Sequence, residues 1–82
     1  TLSIRSNSKL KTINAFQNLT NVTNDVIITN NPELETIQMG NNLQSCRALR
    51  IEDNINLLTL TGFNQLENMS GNLRLLGNRS LK

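Results

Sequence analysis

The chain has 82 residues and a net charge of +2, with no His, Trp or Tyr, two Phe, one Pro and one Cys. That length suits one small domain or part of one, and the charge is too weak and scattered for a nucleic-acid arm or a polybasic membrane patch. A single Cys without His excludes a zinc finger or a disulfide framework within the chain, and no apolar run approaches the roughly 18–20 residues that cross a bilayer.

The first element is a strand at Leu2–Ile4, where apolar residues alternate with polar ones at period 2. Asn7, Leu10 and Ile13 follow at intervals of three. The same beat then runs through Phe16, Leu19 and Val22 to a turn at Thr23-Asn24-Asp25. The second element opens at Val26-x-Ile28 and repeats the plan with Asn31, Leu34, Ile37, Gly40, Leu43 and Cys46. It closes on the shorter turn Arg47-Ala48. The third opens at Leu49-x-Ile51 and runs through Asn54, Leu57, Leu60, Phe63, Leu66 and Met69 to Ser70-Gly71-Asn72. A fourth begins at Leu73-x-Leu75, Asn78 and Leu81. The segments are therefore 1–25, 26–48, 49–72 and a partial 73–82, with Asn spacings of 24, 23 and 24.

A beat of three fits neither an α-helix nor a strand, but suits short extended or 3₁₀-like pieces that turn a corner every few residues. A unit of 23–24 residues cannot bury its apolar side alone, whereas stacked units bury a continuous core. The predicted fold is all-β: a β-solenoid of about three and a half stacked coils. The chain holds 15 Asn and 14 Leu. Asn at regular places marks turns at fixed intervals, because it tolerates left-handed dihedrals and bonds its own backbone. Asn7, Asn31, Asn54 and Asn78 recur just after each strand. Pointing inward, their amides could serve backbone groups left unpaired by the bend and form a ladder; the alternative is four turn residues facing water.

Strand, Asn, then Leu at this period resembles a leucine-rich repeat, and the resemblance implies a right-handed leucine-rich-repeat β-solenoid. The run Val26-Ile27-Ile28-Thr29-Asn30-Asn31-Pro32-Glu33-Leu34-Glu35-Thr36-Ile37 is similar to the repeats of receptor L domains, the ligand-binding lobes of insulin and EGF receptors. It is also similar to repeats of secreted yeast cell-wall glycoproteins and of nematode and protist surface proteins. Ala15-Phe16 and Gly62-Phe63 resemble the small-residue–Phe step of that family, and Asn24-Asp25 and Gly71-Asn72 its turn before the next strand. Leu stands three positions after Asn, not two as in common intracellular leucine-rich repeats. Gly40 replaces Phe, and the Cys-rich caps and linking modules are absent. The resemblance implies an extracellular or cell-surface recognition module, binding a protein or glycan partner or another copy of itself. The chain is expected to be part of a longer ectodomain, since it opens within a strand and stops within a unit, with neither end capped.

Stacking would align two outward columns on the strand face: Ser3, Ile27, Arg50, Arg74 and Arg5, Thr29, Glu52, Leu76. Arg5, Ile27, Thr29, Arg50, Glu52, Arg74 and Leu76 are the candidate partner-binding residues, with Ile27 and Leu76 as exposed apolar anchors; a solvated sheet face with ordinary charge pairing is the plainer reading. Lys9 would pair with Glu33 and Lys11 with Glu35, and Thr12, Thr36 and Thr59 would form a column of β-branched hydroxyls. Asn-x-Ser/Thr sequons stand at Asn18, Asn21, Asn68 and Asn78. Asn21 and Asn68 are the best acceptors for a glycan, with Asn18 behind them; Asn78 is discounted as a ladder residue. Cys46 is expected as a core thiol, with a disulfide to a residue outside the chain or a reactive thiol as alternatives. No His, no column of paired acids and no phosphate-binding Gly loop point to a non-enzyme without cofactor or metal; nucleic-acid and membrane contact are not expected. Two other functions remain open: a structural cell-surface or cell-wall glycoprotein, and an intracellular leucine-rich scaffold.

Overall fold

The structure, a computed structural model, describes residues 1–63 and 66–78, apart from the side chain of Asn68. Leu81 of the fourth repeat and Ser80 of the Asn78 sequon lie outside the described residues. The strands are β1 (Leu2–Arg5), β2 (Thr12–Ala15), β3 (Val26–Thr29), β4 (Thr36–Met39), β5 (Ser45–Cys46), β6 (Leu49–Glu52), β7 (Thr59–Gly62), β8 (Asn68–Met69) and β9 (Leu73–Arg74). There is no helix among the described residues. The part of each repeat with a beat of three is built from short extended pieces, in line with the β-branched Thr and Ile that begin β2 and β4.

Every strand pairs in parallel with its counterpart about 24 residues away. One sheet has the order β1-β3-β6-β9, a second β2-β4-β7, and a third β5-β8. The register carries Leu2 onto Val26, Leu49 and Leu73, and Thr12 onto Thr36 and Thr59. The Thr36 and Thr59 hydroxyls lie 3.4 Å apart. Asn21 bridges to Ser45, which pairs with Asn68. Because Cys46 pairs with Met69 and Leu49 with Leu73, the residue missing from the second repeat falls at the Arg47-Ala48 turn. The main chain closes that gap: Arg47 N–H donates to Asn24 O (2.9 Å) and Val26 N–H to Ala48 O (2.9 Å).

Side chains from all three sheets meet in one core. Ile28 and Ile51 come from the first sheet, Ile37 and Met39 from the second, Cys46 from the third, and Leu34, Leu43 and Leu57 from the corners. Each such aliphatic burial is worth about 1.5–3 kcal/mol. Burial is deepest in the middle repeats. Leu2, Ile4, Leu60 and Phe63 are half-buried, and Leu73 and Leu75 are exposed.

Two corners recur. At the first, Leu10, Leu34 and Leu57 N–H donate to the carbonyls of Asn7, Asn31 and Asn54. The residue before each Asn is left-handed: Ser6, Asn30, Asp53 and Gly77 have φ between 54° and 72°. At the second corner the left-handed residues are Phe16, Gly40 and Phe63, with φ of 63°, 70° and 57°. This explains why Gly can replace Phe at position 40. The conformation suits Gly, and the Phe63 ring lies only 2.9 Å from where a Cβ on Gly40 would stand. Gly62 is required for a different reason: its φ is 104°, and a Cβ there would overlap the Met39 carbonyl oxygen.

The recurrent Asn side chains are linked by hydrogen bonds across the first corner. Asn31 Oδ1 accepts from the Asn7 N–H and Nδ2 (3.1 Å each), and Asn54 Oδ1 accepts from the Asn31 N–H (3.1 Å) and Nδ2 (3.0 Å). Asn78 Oδ1 accepts from Asn54 N–H (3.1 Å) and Nδ2 (3.3 Å). Each amide also donates to a strand carbonyl: Asn31 to Ile4, Asn54 to Ile28, and Asn78 to Ile51. Asn31 and Asn54 are fully buried.

Candidate functional site

The outer face of the first sheet carries the candidate residues. The register places Ser3, Ile27, Arg50 and Arg74 side by side, and likewise Arg5, Thr29 and Glu52. Arg50 Nε donates to Glu52 Oε1 (2.8 Å), and Arg74 Nη2 lies 3.7 Å from Glu52 Oε2. Arg5 Nε donates to Ser3 Oγ (2.7 Å). Glu52 is buried beside the two guanidinium groups, and the Arg50 and Arg74 side chains each stay more than 40% exposed. A carboxylate buried in this way needs its partners, since an unpaired buried charge is strongly unfavourable. The arrangement therefore holds Arg50 and Arg74 while leaving N–H donors facing solvent.

Of the two residues expected as exposed apolar anchors, one is corrected and the other is exposed as expected. Ile27 is not an exposed anchor: it is 6% exposed. It shares a polar recess of about 230 Å³ with Thr29 and with the longer side chains of Arg5, Arg50 and Glu52. Leu76 is exposed, at 56%, but stands in a turn beyond β9 and not in a paired strand. Only its carbonyl joins the stack, accepting from Asp53 N–H at 2.9 Å.

The charge pairs expected between Lys9 and Glu33 and between Lys11 and Glu35 are not among the ion pairs of the described residues. Those pairs are Arg47–Asp25, Arg50–Glu52 and Arg74–Glu52. Glu35 N–H does donate to Lys11 O (2.8 Å), so the backbones stack while all four side chains extend into water. Exposed pairs gain too little to hold two long side chains together.

Arg47–Asp25 was missed from the sequence. Arg47 Nε and Nη2 donate to the two Asp25 oxygens at 2.7 and 2.8 Å, a bidentate fork between turns one repeat apart. The signal available was the alignment of Asp25 with the Arg47-Ala48 turn. The hydrogen bond from Arg47 holds the Asp25 carboxyl below the usual carboxylate range, against a smaller opposing effect of burial. Asp25, Arg47, Arg50, Arg74 and Asn72 line a second polar recess of about 340 Å³ at the leading edge of the sheet. What this face can offer is hydrogen-bond donation and ion pairing. No cluster of His, Cys, Asp and Glu suited to a metal ion occurs among the described residues.

Cys46 is buried as a free thiol. Burial, and then the negative charge of Asp25, push its pKa up. Asn18 and Asn21 are exposed. Asn21 Oδ1 accepts from Ser45 Oγ (2.6 Å), and its Nδ2 donates to Thr20 Oγ1 (3.3 Å). The backbone of Asn68 pairs with Ser45; its side chain is outside the described residues. No protein-family model matches the chain, and none of the curated proteins or solved structures compared with it matches either.

Proposed function

We propose that the chain is a right-handed leucine-rich β-solenoid with an Asn ladder, and that it serves as a non-catalytic extracellular recognition module resembling a receptor L domain. The solenoid reading is supported by parallel pairing at a constant repeat length and by amides that hand hydrogen bonds from one repeat to the next. The observation that carries the function is the pair Arg50 and Arg74, fixed beside the buried Glu52 on a four-stranded face. Side chains already held in place lose little freedom on binding, which is how a rigid repeat surface gains affinity. Arg5 and Thr29 extend that face, and a protein or glycan partner would accept hydrogen bonds from the guanidinium groups.

The test is a binding array of extracellular proteins and glycans, probed with the wild-type chain and with Arg50→Ala/Arg74→Ala. Circular dichroism would establish that both are folded. A ligand bound by the wild type and lost in the double variant is the expected result. Ligands bound equally by both would move function away from this face. The internal pairing of the charges favours a second reading, a structural cell-surface or cell-wall glycoprotein; an array with no ligand at all would support that one.

A further inference from the structure

The sequons do not occupy equivalent surroundings. Asn21, through an isolated bridge, and Asn68, in β8, hold the same register position on either side of Ser45. Two strand spacings separate them, roughly 9–10 Å. Asn21 is exposed, as are the sequon hydroxyl residues Thr23 and Ser70. Asn78 is different: it is half-buried, its Nδ2 donates to Ile51 O at 2.6 Å, and its Oδ1 accepts from Asn54 twice.

We propose that Asn21 and Asn68 carry N-linked glycans in one column, on either side of Ser45, while Asn78 stays bare. The chain then has a sugar-bearing side, and the strand face of the first sheet is left uncovered. This rests on the extracellular reading, because the donor, a lipid-pyrophosphate oligosaccharide, and its transferase belong to the secretory pathway. In the transfer, Asn21 Nδ2 bonds to the anomeric carbon of the sugar as the bond from that carbon to the lipid pyrophosphate breaks. The pyrophosphate leaves with the electron pair, and Nδ2 gives up one proton. The substituted amide keeps Oδ1, so the hydrogen bond from Ser45 survives. The same substitution at Asn78 puts a bulky sugar on the nitrogen that holds the Ile51 carbonyl, and the corner cannot close around it.

The experiment is to secrete the chain from eukaryotic cells behind a cleavable leader and to map glycopeptides on the folded product. Entry into the pathway is imposed, so the result tests the sites, while localisation in the natural source tests the extracellular reading separately. Expected are glycans on Asn21 and Asn68 and none on Asn78. Thr23→Ala, which leaves Asn21 and its hydrogen-bond partners in place, should remove one glycan's mass without loss of secretion. Bare Asn21 or Asn68, or a glycan on Asn78 in folded material, would overturn the proposal.

Discussion

Replacing Asn54 by Ala removes the amide on which the first corner depends. Asn54 is fully buried, and its Oδ1 is the acceptor for both the N–H and the Nδ2 of Asn31. The variant leaves the buried Asn31 N–H without a partner, worth about 1–3 kcal/mol, and loses the bonds Asn31 Nδ2–Asn54 Oδ1, Asn54 Nδ2–Ile28 O and Asn54 Nδ2–Asn78 Oδ1 at about 0.5–1.5 kcal/mol each. The sum is about 2.5–7.5 kcal/mol, against about 4–12 kcal/mol of total stability for a chain this long. Asn7→Ala is the matched control. Asn7 is exposed, and the backbone N–H of residue 7 still reaches Asn31 Oδ1, so the loss is about 0.5–1.5 kcal/mol. Urea unfolding followed by circular dichroism measures both. If Asn54→Ala falls within 0.5 kcal/mol of wild type, or Asn7→Ala loses as much as Asn54→Ala, the amides do not support the corner and the reasoning fails.

Gly62→Ala should destabilise more than Gly40→Ala. The first drives a Cβ into a carbonyl, while the second asks a Phe63 ring to move and adds about 1–2 kcal/mol of left-handed strain; thermal melts give the order. Ile28→Asp buries a charge at a fully buried position and should abolish the folded state, seen as loss of the cooperative urea transition. Cys46 should react with a thiol reagent far more slowly in the native chain than in urea, since it is buried and its thiol is held protonated. The lowered pKa of Asp25 gives a contribution to stability that is complete above the usual carboxylate range and disappears as pH falls through the lowered value. Asp25→Asn should therefore flatten the acid limb of the stability–pH curve, and an unchanged limb would show that the Arg47 fork is energetically silent.

The strands of the first sheet, the turn that absorbs the missing residue and the recurrence of Asn were legible because each follows from spacing alone. Val26, Leu49 and Leu73 align wherever the period is respected. The left-handed residues were not singled out, although Asn30, Asp53 and Gly77 are of the types that take this conformation most readily; Ser6, Phe16 and Phe63 are not, and carry no such signal. Side-chain reach was misread in both directions. Ile27 sits at an outward register position and is nonetheless buried, while Lys9 and Glu33 share a column and do not meet. Spacing gives Cβ positions; where a flexible side chain goes depends on what else competes for it. Asp25–Arg47 shows the same limit, because the fork forms across turns of unequal length.

The amide contacts at the first corner have a consequence for how such a chain can change in length. Each Asn offers its neighbour the same acceptor and donor that it receives from the other side. An excision of residues 26–48 would bring Leu49 to the place beside Leu2 now held by Val26, and Asn54 to the place beside Asn7 now held by Asn31. The joint would be chemically the same as the one removed. An excision of half that length would set a corner against a strand. Length changes at this corner are thus quantised: a whole repeat can be lost with the Asn contacts re-formed, although excision of 26–48 also takes Arg47 away from Asp25, and the turn at Arg47-Ala48 marks where a single residue can go missing without disturbing the count.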